Sequence, residues 1–285
     1  MSLLFSDAFG DEVIDHYCGG SALSAPANWE LSLWTGNPFD GGTELSGSGY
    51  ARYTKATATP LMITGPGTWG YAMVSQTAWT FPETGNSSAD WVPYSYIGMG
   101  RTVAAAPEIA LQTSSPITVT NGNNSSFPAG SIQIDFGSAA QPPLIQEVWA
   151  EALLNAMFAG GSAPGVVGTW YLGLWLGNPY NGGVEVSTVG TSYARLALTN
   201  NAGNWAAATV TDARARAVAT ALRWPASGVA AGAFGQVLYV GFCPGASSAP
   251  SFVRPLPGTG RTVGAGGFLS IPAGGLIVPF RTQGG

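Results

Sequence analysis

Apolar residues in this chain follow two periods, and each period occurs twice. Near the start, Phe9, Val13, Ile14 and Tyr17 recur at helical spacing, behind Ser6 as N-cap and ahead of Gly19-Gly20 as a stop. Near the middle, Ile145, Val148, Trp149, Ala152, Leu153, Ala156 and Met157 line one face of a second helix, which Pro142-Pro143 precedes and Gly160-Gly161 ends. After each helix the period drops to two. Trp29-Glu30-Leu31-Ser32-Leu33 alternates, and Trp170-Tyr171-Leu172-Gly173-Leu174 keeps the same apolar positions. Ile132-Gln133-Ile134-Asp135-Phe136 and Leu276-Ile277-Val278-Pro279-Phe280 hold matching places near the end of each half. Pro279 cannot donate to a strand ladder, so the last strand is expected at a sheet edge. Turn signals such as Asn37-Pro38, Asn121-Gly122, Ala129-Gly130, Asn178-Pro179 and Pro257-Gly258 cut the rest into short strands. The pattern predicts a mainly β protein: two tandem β-sandwich, jelly-roll-like domains, each preceded by one short α-helix. The expected division is 1–141 and 142–285, with the boundary near Gln141-Pro142-Pro143.

The halves share residues as well as periods. Leu33-Trp34-Thr35-Gly36-Asn37-Pro38-Phe39-Asp40-Gly41-Gly42-Thr43-Glu44 returns as Leu174-Trp175-Leu176-Gly177-Asn178-Pro179-Tyr180-Asn181-Gly182-Gly183-Val184-Glu185, an offset of 141 (175 − 34). Tyr50-Ala51-Arg52 recurs as Tyr193-Ala194-Arg195, offset 143 (193 − 50). Trp79-Thr80-Phe81-Pro82 and Tyr96-Ile97-Gly98-Met99 find partners in Leu222-Arg223-Trp224-Pro225 and Tyr239-Val240-Gly241-Phe242. Arg101-Thr102-Val103 answers Arg261-Thr262-Val263 only at offset 160 (261 − 101), as if a loop had changed sides. The period far exceeds the ~20–50 residues of solenoid repeats, so the duplication is of whole domains.

Composition narrows the functions. Charged residues are 9% of the 285 positions, against about 25% in average globular chains. No stretch approaches ~18 uninterrupted apolar residues, so no membrane span is expected. The N-terminal Met1-Ser2-Leu3-Leu4-Phe5-Ser6-Asp7 lacks the basic start and long apolar run of a secretory leader. A net charge of −5 and the absence of any basic cluster argue against nucleic acid. A nearly neutral surface desolvates at little electrostatic cost and suits packing against neighbours. Cys18 and Cys243 occupy non-equivalent places, which predicts two free thiols.

The repeated polar residues read as scaffold. Asn-Pro followed by Gly-Gly describes a loop with one fixed φ and then positive φ; no Lys-Ser/Thr follows that would mark a phosphate cradle. Glu44 with Arg52 and Glu185 with Arg195 form the clearest opposite-charge pair kept in both halves. A carboxylate and a guanidinium could bind a sugar, but glycoside hydrolysis usually needs two carboxylates and the repeat supplies one. A bidentate bond that pins neighbouring strands is the expectation. His16 and Cys18 are two residues apart on a helix and point away from each other, so neither a Cys–His nucleophile pair nor a zinc site is expected. Trp69, Tyr71, Trp79, Trp91, Tyr94 and Tyr96 make the middle of the first half dense in aromatics. Of these, Trp69, Tyr71, Trp91 and Tyr94 are candidates for an interface or for stacking on a glycan.

The ordered set Leu-x-Leu-Trp-x-Gly-Asn-Pro, Gly-Gly-x-Glu, Tyr-Ala-Arg, Tyr-Val-Gly-Phe and Ile-Pro-Ala-Gly-Gly-Leu-Ile-Val resembles a module of tailed-bacteriophage structural proteins, labelled tail-fibre or virion structural proteins. The second half carries it best, from Leu172 to Arg195, Val237 to Phe242 and Arg261 to Phe280. The first half departs where Asn86-Ser87-Ser88-Ala89-Asp90 stands for Val229 to Ala233, and where Asn121 to Ser126 stands for Ala265 to Ser270. The resemblance implies a non-enzymatic β-sandwich protein without cofactor, made in the host cytoplasm and carried on the virion surface. Its role would be capsid decoration or cement, or a short tail fibre or adaptor. Expected partners are other virion proteins, further copies of the chain (a trimer would present six similar domains) and a host surface glycan at the aromatic-rich first half. The alternative is a secreted tandem carbohydrate-binding protein, which the missing leader, the single repeated carboxylate and the unpaired cysteines disfavour.

Overall fold

Both apolar periods become the elements they predict. The computed structural model describes residues 2–24, 26–56, 61–67, 70–75, 77–82, 85–101, 106–136, 147–158, 165–210 and 213–281; the expected boundary near 141–143 lies outside them. The first half runs β1 (Ser2–Phe5), α1 (Asp7–Cys18), β2 (Asn28–Trp34), β3 (Tyr53–Ala56), β4 (Leu61–Gly67) and β5 (Gly70–Ser75). It continues with β6 (Trp79–Phe81), β7 (Tyr94–Gly100), β8 (Ile109–Ile117), β9 (Ser125–Phe127) and β10 (Gln133–Phe136). The second half opens with α2 (Glu147–Phe158), β11 (Thr169–Trp175), β12 (Leu196–Thr199), β13 (Trp205–Val210), β14 (Ala213–Val218) and β15 (Leu222–Trp224). Then come β16 (Gly235–Val237), β17 (Tyr239–Cys243), β18 (Phe252–Pro255), β19 (Arg261–Val263), β20 (Leu269–Ile271) and β21 (Ile277–Arg281).

The sheets repeat in the same order. The order β8-β7-β2-β3 in the first half matches β18-β17-β11-β12 in the second; β10-β5-β4 matches β21-β14-β13; β6-β9 matches β15-β20. β1, too short to read from the sequence, adds a fifth strand beside β8. β21, with Pro279, lies at the edge of its three-stranded sheet. The continuous β8 is broken in the second half into β18 and β19, and β19 pairs with β16. That break corrects the Arg101/Arg261 match: Arg101 follows β7, whereas Arg261 opens β19, so their similarity is not one of position.

The helices hold the two halves together by exchange. α1 packs on β14 and β21 of the second half, and α2 packs on β4 and β5 of the first. Two equivalent tryptophans close the exchange. Trp29 on β2 donates its indole N–H to the carbonyl of Met157 on α2 (2.9 Å), and Trp170 on β11 donates to the carbonyl of Tyr17 on α1 (2.8 Å). Both indoles are fully buried, so neither bond competes with water. Asn200 donates a further bond to the Tyr17 carbonyl (3.1 Å) and accepts one from the Trp205 indole (3.1 Å). Asp15 of α1 takes both Nε and an Nη of Arg216 on β14 (2.9 and 2.6 Å).

On its other side α1 is tied to its own half. Arg101 reaches Glu108 through Nε (2.7 Å) and Glu12 through both Nη atoms, and its guanidinium lies 5.9 Å from the centre of the Phe9 ring. Burial alone would raise the Glu12 pKa, but Arg101 outweighs it and the carboxyl ends below its ordinary range. One continuous apolar core runs through both halves. It includes the stacked Phe242–Phe252 pair, with Trp170 edge-on to both rings, and Phe81 and Tyr94 edge-on to Phe127.

Candidate functional site

The most detailed repeated geometry lies where β2 or β11 turns into its loop. In the first half, Asn37 Oδ1 accepts from the Phe39 amide (3.0 Å) and the Asn37 carbonyl accepts from Gly42 (2.8 Å). In the second, Asn178 Oδ1 accepts from Tyr180 (3.0 Å) and the Asn178 carbonyl from Gly183 (2.8 Å). A Cβ on Gly42 or Gly183 would sit 2.3 or 2.2 Å from backbone atoms of Gly36 or Gly177, so only glycine lets the strands close. The loop then returns Glu44 opposite Trp34 and Glu185 opposite Trp175.

Those carboxylates meet the predicted arginines. Arg52 donates Nε to Glu44 Oε1 (2.8 Å) and Nη2 to Oε2 (2.6 Å); Arg195 does the same to Glu185 (2.8 and 2.7 Å). A tyrosine completes each cluster, and sequence reasoning had not given it a role although it stands in the repeated Tyr-Ala-Arg. Tyr50 donates to Glu44 (2.9 Å) and accepts from the Leu33 amide (3.0 Å). Tyr193 donates to Glu185 (2.6 Å) and accepts from Leu174 (2.9 Å). Burial, followed by other contacts that include the carboxylate, holds both phenols above their ordinary range. The bonds to Glu44 and Glu185 raise the two guanidinium pKa values. Arg195 spends its remaining Nη on the carbonyls of Gly245 and Ser248 (3.1 and 2.7 Å) and lies 5.5 Å from the centre of the Trp175 ring. A cluster satisfied on every side is a clamp, with no group left to act on a substrate.

Beside the second clamp lies an open depression of about 670 Å³, lined by Tyr171, Glu185, Ser187, Thr188, Arg195 and Ser247 among others. Two of the four aromatic candidates are placed elsewhere. Trp91 (5% exposed) donates its indole N–H to the Ser48 carbonyl (3.1 Å) and meets Tyr50 edge-on, as Phe234 meets Tyr193 in the second half. Tyr94 (0% exposed) bonds Ser125 inside the core, and burial pushes its phenol up to about 12. These two are core residues, contrary to the expectation of a surface role; their density reflects packing of aromatic against aromatic. Trp69 and the side chain of Tyr71 lie outside the described residues. His16 is buried, with Nδ1 between the Leu23 amide and the Ser21 carbonyl (3.2 and 3.1 Å), and both cysteines are buried free thiols. Among the described residues no group of His, Cys, Asp and Glu could hold a metal, and no helix is long and apolar enough to cross a membrane.

The family model described as Podophage GP4 fiber I protein gp80 matches the chain over residues 4–135 and again over 145–279. The chain belongs to this gp80 fibre family. Searches of curated proteins and of solved structures return no match. As a gp80-family protein it is a non-enzymatic structural component of the phage virion that associates with other virion proteins, and the family selects a fibre role over capsid decoration and over the secreted carbohydrate-binding alternative. The two matched segments fall one in each half, over the two sets of repeated sheets.

Proposed function

We propose that this gp80-family protein is a short, stiff tail-fibre or adaptor module, built from the units 1–141 and 142–285 and assembled as a homo-oligomer, with a trimer as the expected state. The carrying observation is the reciprocal bonding of Trp29 to Met157 and Trp170 to Tyr17. Two sandwiches that merely shared a linker would swing independently; buried bonds from each sandwich to the other's helix favour a rigid body able to transmit position along a fibre. Immunogold electron microscopy of the parent particles tests the location: label at the tail is expected, and label over the heads would overturn it. Light scattering across a dilution series tests assembly, where a monomer at every concentration would refute the trimer.

Host glycan contact is a second reading, favoured by the depression beside Tyr171. It joins one half-exposed aromatic ring with the hydroxyls of Ser187, Thr188 and Ser247, a combination suited to a sugar face. Saturable signal on a glycan array that Tyr171→Ala abolishes would support it; a blank array would remove it.

A further inference from the structure

We propose that the loop end of the second half is a docking surface for another virion protein, one that presents an apolar patch bordered by a carboxylate. The proposal rests on the fibre reading and adds to it a place and a chemistry.

Three loops meet at this end, 187–192, 226–234 and 264–268. Ala230 N–H donates to Gly267 O and Gly266 N–H to Ala230 O (both 2.8 Å), and Gly232 lies so close to Gly190 that a Cβ would be 2.4 Å from its carbonyl oxygen. The first half stitches its equivalent loops in the same way: Ser87 N–H to Asn123 O (2.8 Å), Gly122 N–H to Ser87 O (3.0 Å) and Ser88 N–H to Ser48 O (3.0 Å). The scaffold is kept and the outward chemistry is exchanged. Where the first half shows Asn86 and Asn124, the second shows Val229 and Phe268, each 53% exposed, with Val189 on the adjoining loop at 85%. The first half demonstrates that Asn and Ser suffice to hold these loops. Exposing two valines and a phenylalanine on the same scaffold therefore brings the fold nothing, and exposed apolar residues gathered on adjoining loop tips mark an interaction site.

Arg223 defines the border. Its guanidinium lies 4.4 Å from the centre of the Phe268 ring and donates to the carbonyls of Pro225 (3.2 Å) and Gly228. Among the described residues it has no carboxylate partner. Its counterpart Thr80 is neutral and paired with Ser126 (3.1 Å). A cation held flat on an aromatic ring beside aliphatic side chains fits an incoming carboxylate flanked by apolar residues. A polyanion would need several cations, and a sugar would favour the hydroxyls around Tyr171 instead.

The test uses the first half's own residues. Full-length Val229→Asn/Phe268→Asn, and separately Arg223→Gln, are supplied in trans to the parent phage lacking its own copy, and copies per purified particle are counted against the major capsid protein. Wild type must incorporate; its absence from particles would sink the fibre reading itself. The double variant is expected to incorporate at least about tenfold less, and Arg223→Gln several-fold less, at unchanged melting temperature. The mirror variant Asn86→Val/Asn124→Phe should incorporate like wild type. Wild-type incorporation of a folded double variant overturns the proposal. If the double variant melts early, Arg223→Gln decides: loss supports the docking surface, and full incorporation overturns it.

Discussion

At the residue scale the Glu–Arg–Tyr clamp carries the clearest energetic consequence. Removing Arg195 strands a half-buried Glu185 carboxylate, frees Tyr193 from its shared acceptor geometry and unties the loop carbonyls of Gly245 and Ser248. Arg195→Ala is expected to destabilise the second half by about 1–3 kcal/mol, kept at that modest size because the pair is partly solvated. Calorimetry would register it as a lower melting temperature, and an unchanged one would refute it. Arg195→Lys should recover only part, since an ammonium cannot make the bidentate fork. A second consequence concerns pH. Burial pushes the Cys243 thiol from 9.0 up to about 12 and the Tyr94 phenol from 10.0 to about 12. In that window the unfolded chain has released protons that the native chain retains, so stability falls as pH rises from about 9 towards about 12. Urea midpoints should drop progressively above about pH 9, and Cys243→Ala should flatten the first part of that fall.

At the element scale, the periods exposed the helices and the long strands, because burial of one face is what writes periodicity into a sequence. The N-cap Ser6 accepts from Phe9 (3.2 Å) as its position foretold. What stayed hidden is of a different kind. β1 has four residues and no alternation of its own to show, and gains its identity only beside β8. Trp91 and Tyr94 could not be assigned to core or surface, since an aromatic side chain suits either and only the neighbouring strand decides. An apolar helix face announces that something covers it but not which sheet does, so the exchange of α1 and α2 was not legible. The clamp was half legible: Glu and Arg by charge, Tyr only by its neighbours. One strand feature is open to direct test. A Cβ on Gly241 of β17 would lie 2.5 Å from the Trp175 ring, which packs flat across Gly173 and Gly241. Gly241→Ala should push the indole off the sheet, at a cost of about 1–3 kcal/mol, and shift its fluorescence to the red. An unmoved emission maximum would show that the ring has room to spare.

For the molecule as a whole, the exchanged helices make the halves interdependent. Trp29→Phe or Trp170→Phe removes one buried indole bond to a helix-end carbonyl, for about 1–3 kcal/mol each, with Trp170→Phe the milder because Asn200 still donates to the Tyr17 carbonyl. The double variant should do more than add these losses: its calorimetric transition should broaden or split, as the sandwiches begin to melt separately. A single sharp transition at a merely lower temperature would mean that the continuous core, not the indoles, enforces the coupling. Arg216, bonded to Asp15 of α1, offers an independent handle on the same contact.

The exchange also bears on what the protein is free to become. A symmetric homodimer of single sandwiches trading helices would display two identical ends, because every surface residue is specified once and seen twice. Carrying both sandwiches in one chain cuts that bond between the ends while keeping the contact that joins them. Each set of loops can then drift under its own selection, and one end can grow amides and hydroxyls while the other grows valine and phenylalanine. Polarity along an otherwise symmetric building block is the property that a chain of such blocks needs in order to have a direction.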